Sequence, residues 1–88
     1  MIARTQVKNP ELLGAVLQQG RLTEQKSQRE LAAELGVSQK WVWEMEQGKP
    51  GLLMDRLFRM MQATGVKLYA ELELKPAGEA NTDGDSGD

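Results

Sequence analysis

The stretch "SQRELAAELGVSQKWVWEMEQG", Ser27 to Gly48, decides how the chain is read. Ser27-Gln28-Arg29-Glu30 has the form of a capping box, in which the Ser27 hydroxyl accepts from the Glu30 amide and the Glu30 carboxylate reaches back to the Ser27 amide. Leu31, Ala32 and Leu35 then share one helical face, and Gly36 supplies the positive φ that commonly ends a helix. Ser38 caps a second helix running to about Gln47, which stops at "GKPG". Counted from Gln28, Leu31 is fourth, Ala32 fifth, Leu35 eighth, Gly36 ninth, Val37 tenth, Val42 fifteenth and Met45 eighteenth. Two helices that cross through a tight turn need a small residue at the crossing, a glycine at the turn and apolar side chains at the other five places. All seven are filled as a helix-turn-helix requires.

Outward from this hairpin, Asn9-Pro10-Glu11 is a helix start, with Asn as cap, Pro in the first turn and Glu at the positive end of the dipole. Leu12, Leu13, Val16 and Leu17 mark its apolar stripe to about Thr23, and "TEQK" is a polar connection. A fourth helix begins near Leu53, with Leu53, Leu57, Met60, Met61 and Thr64 at three- and four-residue spacing and Gly65 as its stop. The period then changes to two. In "VKLYAELEL", Val66, Leu68, Ala70, Leu72 and Leu74 share one face, and Lys67, Tyr69, Glu71 and Glu73 the other. No other stretch reads as a strand, and an unpaired strand leaves a row of backbone donors and acceptors without partners. The simplest partner is a second copy, antiparallel across a two-fold axis, which makes Val66, Leu68, Ala70, Leu72 and Leu74 the expected dimerisation residues. The alternative is a fifth helix or a loose extension.

Composition removes most other functions. At 88 residues the chain is one small domain, short enough that a partner subunit is a natural addition to its core. It has no Cys and no His, which excludes disulfides, thiolate metal sites and nucleophile-plus-His catalysis. The carboxylates Glu11, Glu24, Glu30 and Glu34 are spread over solvated helix faces. No catalytic residue, metal, cofactor or small-molecule ligand is expected. No apolar run approaches membrane-spanning length and Met1 to Pro10 lacks a signal-peptide core, so the expected location is the cytoplasm. The net charge of −2 hides an asymmetry, because residues 1–75 carry eleven Lys or Arg against nine Asp or Glu. Residues 76–88, "PAGEANTDGDSGD", hold the other four acids and no base, and are expected to be a disordered acidic tail.

The helix-turn-helix stretch resembles the Cro/repressor (XRE-type) family, the likeness running from about Leu13 to Val66. Within that family the length and the ending "RLFRMMQATGVKLYAELEL" are most similar to HipB-type antitoxins, the DNA-binding partners of HipA-type kinase toxins. The fold expected is therefore mainly α: a four- to five-helix repressor-like helix-turn-helix domain over residues 1–75, with the motif at 28–47 and a C-terminal β-strand, about 67–74, pairing across a homodimer. The resemblance implies a sequence-specific repressor that autoregulates its operon on palindromic operator DNA and restrains a HipA-like Ser/Thr kinase toxin. The alternatives are an orphan or phage-type repressor without a toxin, and a protein-binding adaptor.

The DNA-facing residues follow from projecting the second helix of the motif. With Val42 and Met45 inward, Lys40 and Gln47 lie opposite, flanked by Trp43 and Glu44. Ser38 at the cap is expected among the DNA-binding residues; Gln39, just after it, suits adenine N6 and N7, and Lys40 suits guanine O6 and N7. Gln47 and Lys49 are expected on the backbone. Glu44 either accepts from cytosine N4 or is an exposed salt-bridged side chain. Trp43 either contacts DNA or covers protein, and Trp41, nearer the core edge, is expected to pack. By the family resemblance, Gln28 supports the base-reading residues and contacts phosphate, and Arg21 and Glu46 form an ion pair joining the first helix to the end of the third. The modest body charge leaves the capped amide ends at Gln28 and Gln39 to meet phosphate.

Overall fold

The computed structural model describes residues 1–49 and 51–75; the expected acidic tail lies outside them. The chain runs β1 (Ile2–Gln6), α1 (Pro10–Thr23), α2 (Gln28–Leu35), α3 (Gln39–Glu46), α4 (Leu52–Thr64) and β2 (Tyr69–Glu73). Three of the four helix starts carry the predicted cap. Asn9 Oδ1 accepts from the Leu12 amide at 2.8 Å, Ser38 Oγ accepts from the Trp41 amide at 3.0 Å, and Ser27 and Glu30 form the full reciprocal box. Gly36 and Gly65 end α2 and α4 at φ 74° and 79°, the left-handed region where a Cβ costs most. No helix among the described residues is long and apolar enough to cross a membrane.

The helical body is organised around α1, which lies against α3, α4 and β2, while α2 packs on α3. Val7, Ala32, Val42 and Phe58 are its buried apolar residues. Ala32 stands at the α2–α3 crossing and Val42 beneath α3, as the motif spacing requires.

Two expectations are corrected. First, β2 is not short of a partner within its own chain. It pairs antiparallel with β1, Ile2 opposite Glu73 and Gln6 opposite Tyr69, so the need for a ladder does not by itself call for a second copy. Val66 and Leu68 lie before the strand and stay exposed, whereas Ala70, Leu72 and Leu74 are half-buried. Second, the expected α4 stripe is turned outward. Phe58 is buried with Met54 and Met61 beside it, and Leu53, at 81% exposure, Leu57 and Met60 face solvent. Two apolar lines run side by side on this helix, and the body covers the one through Phe58.

Candidate nucleic-acid interface

The second helix of the motif presents its outer face as the projection required. Val42 is buried and Met45 half-buried, while the Lys40 side chain is 80% exposed and Gln47 and Lys49 are exposed. Ser38 and Gln39 stand at the open N-terminal end of α3. The Ser38 hydroxyl and carbonyl take the Trp41 and Val42 amides. The Gln39 and Lys40 amides, at the start of the same first turn, have no preceding intrahelical carbonyl to meet, and they point out along the axis with the dipole behind them. This end carries a lysine and no carboxylate in its first turn.

Glu44 is half-exposed, and its Oε2 lies 4.0 Å from Lys40 Nζ one turn back. Trp43 is partly exposed, and Lys49 Nζ sits 5.4 Å from its ring centroid, so the aromatic face and the cation occupy one patch at the helix's far end. Trp41 is 45% exposed and borders an apolar groove with Leu17 and Leu35. It packs along one side only.

Beneath this face lies a buried polar network. Arg21 Nε donates to Glu46 Oε2 at 2.6 Å and Arg21 Nη2 to Glu46 Oε1 at 3.1 Å, the predicted ion pair between α1 and α3 in bidentate form. Arg21 Nη1 also donates to the Lys26 carbonyl at 2.9 Å, tying in the turn before α2. The Gln28 side chain is enclosed, the residue being 5% exposed, and its Nε2 donates to Glu46 Oε1 at 3.0 Å. It joins α2 to the same carboxylate, so its side chain is turned into the network beneath α3. One carboxylate on α3 thus receives donors from both α1 and α2.

Two glycines complete the seat of α3 without any signal in the motif spacing. A Cβ on Gly14 would stand 2.5 Å from the carbonyl oxygens of both Met45 and Glu46, so α1 rests directly on the last turn of α3. Gly48, at φ 76°, lets the chain leave α3 against the backbone of Glu11, where a Cβ would come within 2.6 Å. The C-terminal end of α3 is therefore held by backbone contact and a buried ion pair, and its N-terminal end is left open. A fixed helix with an open, cationic N-terminal end suits entry into the major groove.

A family model described as a helix-turn-helix domain matches residues 12–74, most of the chain. No curated protein and no solved structure matches it.

Proposed function

The chain belongs to the helix-turn-helix domain family and is a DNA-binding regulator, and from that premise we propose that it is a sequence-specific transcriptional repressor acting on palindromic operator DNA as a homodimer. The single observation that supports this best is the disposition of α3: Lys40 outward, Val42 inward, and the open amide end at Gln39 between them. Gln39 and Lys40 read base edges, Trp43 lies along the groove wall, and Gln47 and Lys49 hold the backbone. Ser38 keeps the end of α3 capped while its neighbours engage. Glu44 tempers Lys40 and selects against sites where a phosphate would crowd it. Two such helices related by a dimer axis sit about 34 Å apart, one turn of B-DNA.

The test is a mobility shift on the DNA upstream of the chain's own gene. The unaltered protein retards that fragment ahead of a scrambled one, and Gln39→Ala and Lys40→Ala lose the preference. Equal retardation of both fragments by all three proteins removes the base-reading role, and no retardation at all leaves the adaptor reading.

Within this reading the chain is the cytoplasmic antitoxin of a HipA-like Ser/Thr kinase, an assignment supported by its length and its α4–β2 ending. Co-purification of a kinase of that kind from the native host supports it; a clean purification and no kinase gene alongside returns the chain to an orphan or phage-type repressor.

A further inference from the structure

The chain has six lysines, and four of them are engaged. Lys26 meets Glu34 and Lys75 meets Glu24, both at 2.8 Å, Lys40 lies 4.0 Å from Glu44, and Lys49 stands over the Trp43 ring. Lys8 and Lys67 are left without an ion pair or a side-chain hydrogen bond among the described residues, and both stand on one hollow of about 270 Å³. Only the fold brings them together.

The hollow lies between the link from β1 to α1 and the link from α4 to β2. The Val7 amide donates to the Leu68 carbonyl at 2.8 Å and the Val66 amide to the Met61 carbonyl at 3.0 Å, so both links are pinned by backbone bonds. Buried Val7 and Phe58 close the base, and Gln6 and Gln62 add two side-chain amides that have no partner among the described residues. Among the described residues, no Asp or Glu lines it. In a chain whose acids outnumber its bases by thirteen to eleven, a hollow with two ammonium groups and no carboxylate is an environment for an anion. Val66 and Leu68, 57% and 39% exposed, leave apolar surface at the same place.

We infer that this hollow binds a small organic anion, with its head between Lys8 and Lys67 and its apolar body on Met61, Val66 and Leu68. Pockets for drug-sized ligands run from about 300 to 1,000 Å³, so this one takes a smaller occupant of about ten non-hydrogen atoms. A carboxylate suits the head. The two ammonium groups are compact charges with rotatable donors, and the Gln6 and Gln62 amides donate to the lone pairs that remain. A bare inorganic anion leaves the apolar side chains in water, and a neutral apolar molecule strips water from two ammonium groups and returns nothing. An anion with an apolar body avoids both costs. Once bound, it bridges the end of β1 and the start of β2 and makes the sheet harder to open. None of the residues assigned to DNA lines the hollow, so the inference does not depend on the operator reading.

Phenylacetate is the probe, with phenylacetamide as its neutral counterpart and inorganic phosphate as a head without a body. In an amide NMR titration of the full chain, phenylacetate is expected to shift Val7, Lys8, Val66 and Lys67 with a Kd of about 1 mM, and to slow hydrogen exchange at Thr5 and Leu72. Lys8 and Lys67 are exposed, so replacing both by Gln keeps the fold. The Lys8→Gln, Lys67→Gln variant is expected to bind about tenfold more weakly or worse, the loss that follows removal of charge-assisted bonds. An equal response to phenylacetamide overturns the role of the lysines, and an equal response to phosphate overturns that of the apolar body. Shifts that the double variant retains in full place the site elsewhere. Amide shifts confined to residues 76–88, when the double variant is compared with the unaltered chain, assign the hollow to the chain's own acids instead. No shift at about ten times the expected Kd overturns the inference outright, while operator retardation stands or falls by its own assay.

Discussion

Gly14 in α1 and Gly36 in the turn of the motif do different work. At Gly36 nothing lies within 4 Å of an added Cβ, and only its φ of 74° resists substitution. Gly36→Ala is expected to cost about 1–2 kcal/mol, the left-handed penalty for an L-residue, and to leave operator binding by the folded fraction unchanged. At Gly14 the neighbours are backbone carbonyls that cannot swing aside, so α1 and α3 must part. Gly14→Ala is expected to cost about 1–3 kcal/mol and, measured well below its melting temperature, still to bind operator more weakly because α3 has shifted. Urea denaturation beside a binding titration checks both. Arg21→Ala leaves Glu46 buried with its main counter-charge gone, a loss of about 3–5 kcal/mol that leaves a domain of this size close to unfolding at 37 °C. Replacing Arg21, Gln28 and Glu46 together by Met is expected to recover much of the melting temperature without recovering DNA affinity, since apolar packing restores stability but does not orient three helices on one carboxylate. Full affinity in the triple variant refutes that orienting role.

The elements show which information is local and which is not. The caps at Asn9, Ser27 and Ser38 and the stops at Gly36 and Gly65 were legible because each depends on residues within one turn of itself, and they delimited α1 to α3 closely. The outward place of Lys40 was legible for the same reason: one helix's periodicity decides it once Val42 and Met45 are assigned inward. β1 was not legible, since it stays largely exposed, Ala3 and Thr5 are too small to mark a face, and Arg4 and Gln6 look like any polar loop. The α4 face was misread because two apolar lines compete and only the fold chooses between them. The enclosure of Gln28 and the part played by Gly14 escaped notice because burial of a polar side chain and approach of two backbones are tertiary facts. One further tie between elements is open to measurement. Lys75 Nζ lies 2.8 Å from Glu24 Oε2, joining the end of β2 to the end of α1, and its hydrogen bond and charge hold the Glu24 carboxyl below the usual value. A lowered carboxyl contributes its stability above the unfolded-state value and loses it as pH falls through the lower folded one. Lys75→Ala is therefore expected to raise the Glu24 midpoint toward the ordinary carboxylate range in a carbon NMR titration, and an unmoved midpoint counts against the contact.

For the whole molecule, a body with eleven cations and nine anions is a weak polyelectrolyte partner for DNA. Binding has to draw on oriented amides at the ends of α2 and α3 and on duplication by a second copy. The expected salt response is accordingly moderate, a loss of tens- to thousands-fold between about 50 and 200 mM salt for roughly 3–8 neutralised phosphates. A steeper slope measured by fluorescence anisotropy points to more lysine contact than α3 supplies. Leu53, Leu57 and Met60 leave an apolar line facing solvent on α4.

The pairing of β1 with β2 also has a consequence in time. β1 is synthesised before every helix and its mate after all of them, so on the ribosome the first strand waits while α1, α2 and α3 settle, and the sheet closes last. A late, long-range closure of this kind contributes little to the folding nucleus and opens again at low cost. Amide hydrogens of Thr5 and Leu72 should then exchange through brief local openings, while those in α1 and α3 wait for global unfolding, and the young chain passes through a stage in which its helix-turn-helix is finished but its sheet is not.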